Sequence, residues 1–105
     1  MGKLKIQLTD GTIEVTVPET VVQELDRQIR ELWQKYQFPL PHKIPPWEYQ
    51  HQGEIFLEVF GNLNSWANPM SAKILLTIRT DRLRLIYELP LTQFRQDLQD
   101  YSSHG

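Results

Sequence analysis

Cysteine is absent from this chain, and so are long apolar runs, glycine-rich loops and any excess of positive charge. Without cysteine there is neither a disulfide framework nor a thiol for covalent chemistry, a composition that fits a reducing compartment. No apolar run approaches the ~18 residues that would suggest a membrane span. Met1-Gly2-Lys3-Leu4-Lys5 passes straight into an alternating strand and lacks the apolar segment of a secretory signal. Eleven Lys and Arg against thirteen Asp and Glu leave a formal charge of -2, which excludes the basic balance of a non-specific nucleic-acid binder. Gly11, Gly53 and Gly61 stand isolated at turns or strand boundaries, so no loop is built to cradle phosphate. The three histidines, His42, His51 and His104, have neither metal-ligand nor catalytic-triad spacing. His42, Glu48 and His51 could meet only if the segment between them curled. The expectation is a soluble, cytoplasmic protein that is not an enzyme and carries no cofactor or metal.

What is present describes an ordinary globular domain. At 105 residues, 40% hydrophobic and 23% charged, the chain can bury one core unaided. Residues 1–101 read as a single domain and 102–105 as a flexible polar tail.

Leu4, Ile6 and Leu8 alternate with polar residues, as do Ile13, Val15 and Val17, with Asp10-Gly11 between them. That pattern predicts a hairpin pairing Leu8 with Ile13, Ile6 with Val15 and Leu4 with Val17 about a type I′ turn. Val22, Leu25, Ile29, Leu32, Trp33 and Tyr36 recur at spacings of three and four and predict a helix from Pro18 to Tyr36. A strand follows over Ile55 to Phe60. A second hairpin, Ala72 to Arg79 with Arg82 to Leu89, is predicted to set Leu76 opposite Leu85 and Lys73 opposite Glu88. Leu91, Phe94, Leu98 and Tyr101 mark a last helix, with Thr92 as N-cap. The order is therefore ββαβββα. It predicts a two-layer α+β fold, a five-stranded, mostly antiparallel sheet with two helices on one face.

In element order, α-β-β-β-α resembles the double-stranded-RNA-binding fold. Thr92 to Leu98 lacks the lysine cluster with which such a helix meets phosphates, so function is not carried across. Ile13-Glu14-Val15-Thr16-Val17-Pro18-Glu19 with Val21 to Asp26 resembles the strand-to-helix opening of ribbon-helix-helix repressors. In that family the strand pairs with another subunit, whereas here Leu4 to Leu8 supply a partner within the chain.

Two regions bear on function. Tyr36 to His51 gathers Pro39, Pro41, Pro45 and Pro46, four aromatics and two histidines, and reads as an irregular binding segment. The sheet face opposite the helices is expected to carry Phe56, Glu58, Phe60, Lys73, Leu75, Thr77, Arg79, Arg82, Arg84, Ile86 and Glu88, too apolar to stay open to water. Its cover is either the Pro39 to Tyr49 segment or the Trp66 loop of the same chain, or a partner chain or second copy. The candidate partner contacts are Phe38, His42, Trp47, Tyr49, Phe56, Phe60 and Trp66, for an unknown protein partner or for self-association. Trp47, held extended by two prolines, is the foremost of them. The alternative is a nucleic-acid module using Arg79, Arg82 and Arg84 beside sheet phenylalanines.

Overall fold

The computed structural model describes residues 2–35, 45–62, 66 and 70–104. Eight elements follow in order: β1 (Gly2–Leu8), β2 (Gly11–Val17), α1 (Glu19–Lys35), β3 (Trp47–Gln52), β4 (Phe56–Gly61), β5 (Lys73–Arg79), β6 (Arg84–Pro90) and α2 (Leu91–His104). The class is α+β, but the expected five-stranded sheet is replaced by two antiparallel sheets, β1-β2 and β3-β4-β5-β6. No described helix is long and apolar enough to cross a membrane.

Two physical causes separate the observed topology from the expected one. The first is β3, which lies within the segment read as irregular. Trp47, Tyr49 and His51 are half-buried while Glu48, Gln50 and Gln52 are exposed, the period of a strand. β3 is an edge strand, the place where flanking prolines such as Pro45 and Pro46 are tolerated. The second is the open edge of β1. The Gln7 amide donates to Asp97 Oδ2 at 3.0 Å and the Thr9 amide to the Tyr87 hydroxyl at 3.3 Å. Side chains of α2 and β6 thus hold one outward amide of β1 and one in the turn beyond it, on the edge where a further strand would pair, and the hairpin stays a separate sheet.

Both hairpins sit two residues away from the expected register. Leu8 faces Gly11, Ile6 faces Ile13 and Leu4 faces Val15 about a Thr9-Asp10 loop, and Gly11 opens β2 without a left-handed φ. A shift of two preserves the facing of every side chain, so the apolar pattern is equally content with either register. The observed one sets Lys5 opposite Glu14, with Nζ and Oε1 3.7 Å apart, and lets Thr12 Oγ1 donate to Gln7 Oε1 at 3.1 Å. Likewise Leu76 faces Tyr87 rather than Leu85, and Ile78 faces Leu85. The connecting loop spans Thr80 to Leu83 and needs no glycine. Thr80 Oγ1 accepts the amides of Arg82 and Leu83 at 3.3 and 3.1 Å, and the Thr80 amide donates to the Leu83 carbonyl at 2.7 Å. Lys73 therefore faces Pro90 and reaches Glu88 diagonally, at 3.6 Å.

The helices close one core. α1 buries Val21, Val22, Leu25, Ile29 and Leu32, the stripe its spacing predicts. α2 starts one residue before the expected Thr92 cap, with the Leu91 amide donating to the Ala72 carbonyl at 2.9 Å, and its backbone stays helical to His104. Leu91, Phe94 and Leu98 join the inner residues of β4, β5 and β6 and the apolar side of the first hairpin in a single cluster. The Arg95 guanidinium, 4.9 Å from the Trp33 ring centroid, links the two helices. Asp97 is buried within this join. It accepts Gln93 Nε2 at 3.0 Å as well as the Gln7 amide, yet burial outweighs those bonds and pushes its carboxyl pKa up.

Candidate functional site

The four-stranded sheet has a covered face and an open one. Alternation along each strand turns Leu57, Val59, Ile74, Leu76, Ile78 and Leu89 inward, where all are buried. The pairing then arranges the outward side chains in three rows across β3, β4, β5 and β6. One row is Glu48, Phe60, Leu75 and Glu88; the middle row is Gln50, Glu58, Thr77 and Ile86; the last is Gln52, Phe56, Arg79 and Arg84. The outward assignment expected for β4, β5 and β6 is what the pairing shows, because the register shift is even, except that Arg82 lies in the loop before β6 rather than on the strand.

An apolar patch runs from one end row into the middle row of this face. Phe60 and Leu75 are paired directly, and Ile86 is the diagonal neighbour of Leu75. They remain 37%, 40% and 48% exposed. Thr77, between Glu58 and Ile86 in the middle row, is only 7% exposed, so a small side chain marks a shallow centre flanked by bulkier groups. Both helices contribute their apolar stripes to the core on the opposite side.

Charge on the face is segregated by row. Gln50 Nε2 donates to Glu48 Oε1 at 2.6 Å and to Glu58 Oε2 at 2.7 Å, so one amide gathers two carboxylates at the β3–β4 side. Glu88 closes the same end row and is partly balanced by Lys73. At the other end Arg79 lies directly opposite Arg84, and the Arg79 guanidinium sits 4.5 Å from the Phe56 ring centroid. That contact offsets the like-charge pairing and occupies the Phe56 ring face.

The expected contact residues are distributed over both faces. Phe56 and Phe60 lie on the open face. Trp47 and Tyr49 are half-buried on the covered side, packed against the core. Trp47 Nε1 donates to Gln28 Oε1 of α1 at 2.7 Å, and burial, then the nearby Glu24 carboxylate, push the Tyr49 phenol pKa up. Trp66 lies between β4 and β5 against the core cluster, with Lys73 Nζ 5.9 Å from its ring centroid. Phe38 and His42 fall outside the described residues. Glu48 and His51 turn to opposite faces of β3 and do not converge. Among the described residues no three His, Asp or Glu side chains are placed to hold a metal ion. Arg79 and Arg84 share the open face while Arg82 sits in the loop beyond it.

The polar strip of Glu48 and Gln50 was missed by sequence reasoning. Its signal was the alternation of Trp47-Glu48-Tyr49-Gln50-His51-Gln52, overshadowed by the prolines before it. The chain matches no protein-family model and no curated protein, so the geometry of this face carries the functional argument.

Proposed function

We propose that this chain is a small protein-binding module that works through the open face of its four-stranded sheet. The contiguous exposure of Phe60, Leu75 and Ile86 on an ordered sheet supports this reading. Apolar groups on a rigid surface lose little entropy on docking, and a rim of charge limits wrong pairings. Glu48, Glu58 and Glu88 on the same face oppose the nucleic-acid alternative by repelling phosphate, and Arg79 already covers the ring of Phe56 that a base would stack on.

The test is site-specific photo-crosslinking in the native host, with the reactive side chain at position 75 or 86 and a control at Glu14 on the outer side of the first hairpin. Protein adducts confined to the sheet positions support the reading. Equal labelling from the control, or none from the sheet, overturns it. Nucleic-acid adducts whose yield falls steeply with salt would favour the alternative instead.

A further inference from the structure

We infer that the partner of the open sheet face is a second copy of this chain, docked face to face about a two-fold axis running across the strands along the middle row. The inference rests on the docking reading above and adds the occupant and its orientation. For sheets packed in the aligned mode, a two-fold in the plane between them runs close to the strand direction or close to perpendicular to it. An axis along the strands lays β3 over the partner's β6 and brings the acidic end rows together, Glu48 against the copy of Glu88. An axis across the strands lays each strand over its own copy with the rows reversed. The end row Glu48, Phe60, Leu75, Glu88 then meets the row Gln52, Phe56, Arg79, Arg84.

In that arrangement the contacts between the two end rows are complementary. Phe60 meets the copy of Phe56, Glu88 meets the copy of Arg84, Glu48 meets the copy of Gln52, and Leu75 lies along the aliphatic stem of the copy of Arg79. On the axis Ile86 meets itself, and Thr77, small and recessed, leaves room for the flanking side chains to interdigitate. Glu58 meets itself too, the one like-charge contact, with each carboxylate held by Gln50 at 2.7 Å. Lys73 stays beside Glu88, lowering the net charge of the acidic end without reversing it. Aligned packing of twisted sheets at about -30° moves the corner contacts by on the order of 5 Å, roughly one strand spacing, which the long side chains of Glu88 and Arg84 span. Four strands ~4.8 Å apart and about six residues long give a flat footprint on the order of 400 Å² per copy. That is small for a permanent dimer and places the association in the weak, reversible class.

Sedimentation velocity of the purified chain from micromolar to millimolar concentration tests the proposal. The expected result is a monomer–dimer equilibrium within that range, abolished by Ile86→Asp, which sets a carboxylate against its own copy on the axis, with thermal unfolding unchanged. Arg84→Glu and Glu88→Arg should each weaken association at least tenfold. Combined in one chain they should restore it, because the reversed pair meets across the axis. A chain that stays monomeric at millimolar concentration overturns the homodimer, as does a dimer indifferent to the charge swap. Protein adducts from position 75 to a different chain would then preserve the docking reading of the face while removing its self-partner. Absence of both dimer and adducts ends both.

Discussion

The two faces of the four-stranded sheet are built from the same strands and similar residue types, yet one is sealed and the other open. Inward, Leu76 lies between Val59 and Tyr87 and is fully buried; outward, its neighbour Leu75 lies between Phe60 and Glu88 and is 40% exposed. A single peptide unit separates a leucine that holds the fold from one free to meet something else. Hydrophobicity alone does not distinguish them; which face the helices cover does. Stability is concentrated on one side of this sheet, which leaves the other side free to carry a contact surface without compromising the fold.

The sharpest way to break this comparison is to truncate the two leucines in turn. Leu76→Ala should cost ~2–5 kcal/mol in urea unfolding, whereas Leu75→Ala should stay within about 0.5 kcal/mol. Equal losses would mean that the outer face is sealed as well. Trp47→Ala comes next, with an expected loss of ~2–4 kcal/mol, because the indole packs on the core and donates to Gln28. A change near zero with partner adducts abolished would return Trp47 to the contact surface.

A smaller effect is expected at Asp97, where α2 joins the hairpin. Its folded pKa is raised, so the native state binds the proton more readily than the unfolded chain does. The stability contributed by this group therefore rises as pH falls through its folded pKa toward the ordinary aspartate value, and is lost again as pH rises through the folded pKa. Asp97→Asn removes that dependence, so the advantage of the native protein over the variant should widen on acidification. Parallel unfolding curves at neutral and acid pH check the sign. Smallest of all is Lys73→Ala, whose exposed ion pair with Glu88 should contribute less than ~1 kcal/mol.

Periodicity carried most of what was legible beforehand. The stripes of α1 and α2, the alternation of β1, β2, β4, β5 and β6, and the membership of the open face all follow from spacing. Register was not legible, because a slip of two residues leaves Ile6 and Leu76 facing the same way. The split into two sheets was hidden for a different reason. It depends on Gln7 meeting Asp97 and Thr9 meeting Tyr87, contacts between residues far apart in sequence that no local pattern announces. At the candidate site, Phe56 and Phe60 were readable from alternation. The placement of Trp47 and Tyr49 on the covered side was not, since it required recognising β3 among its prolines.

The edge of β1 has a consequence for how the molecule resists self-assembly of the wrong kind. A bare strand edge is a template on which another chain can add a strand, and adjacent apolar groups make that addition hard to reverse. Here the carboxylate of Asp97 acts as a stopper on that template by holding the Gln7 amide, while the Tyr87 hydroxyl holds the Thr9 amide in the turn just beyond it. Detachment of α2 would withdraw the Asp97 stopper and uncover Phe94 and Leu98 in the same event. Helix α2 is thus the latch that guards the hairpin against open-ended strand addition.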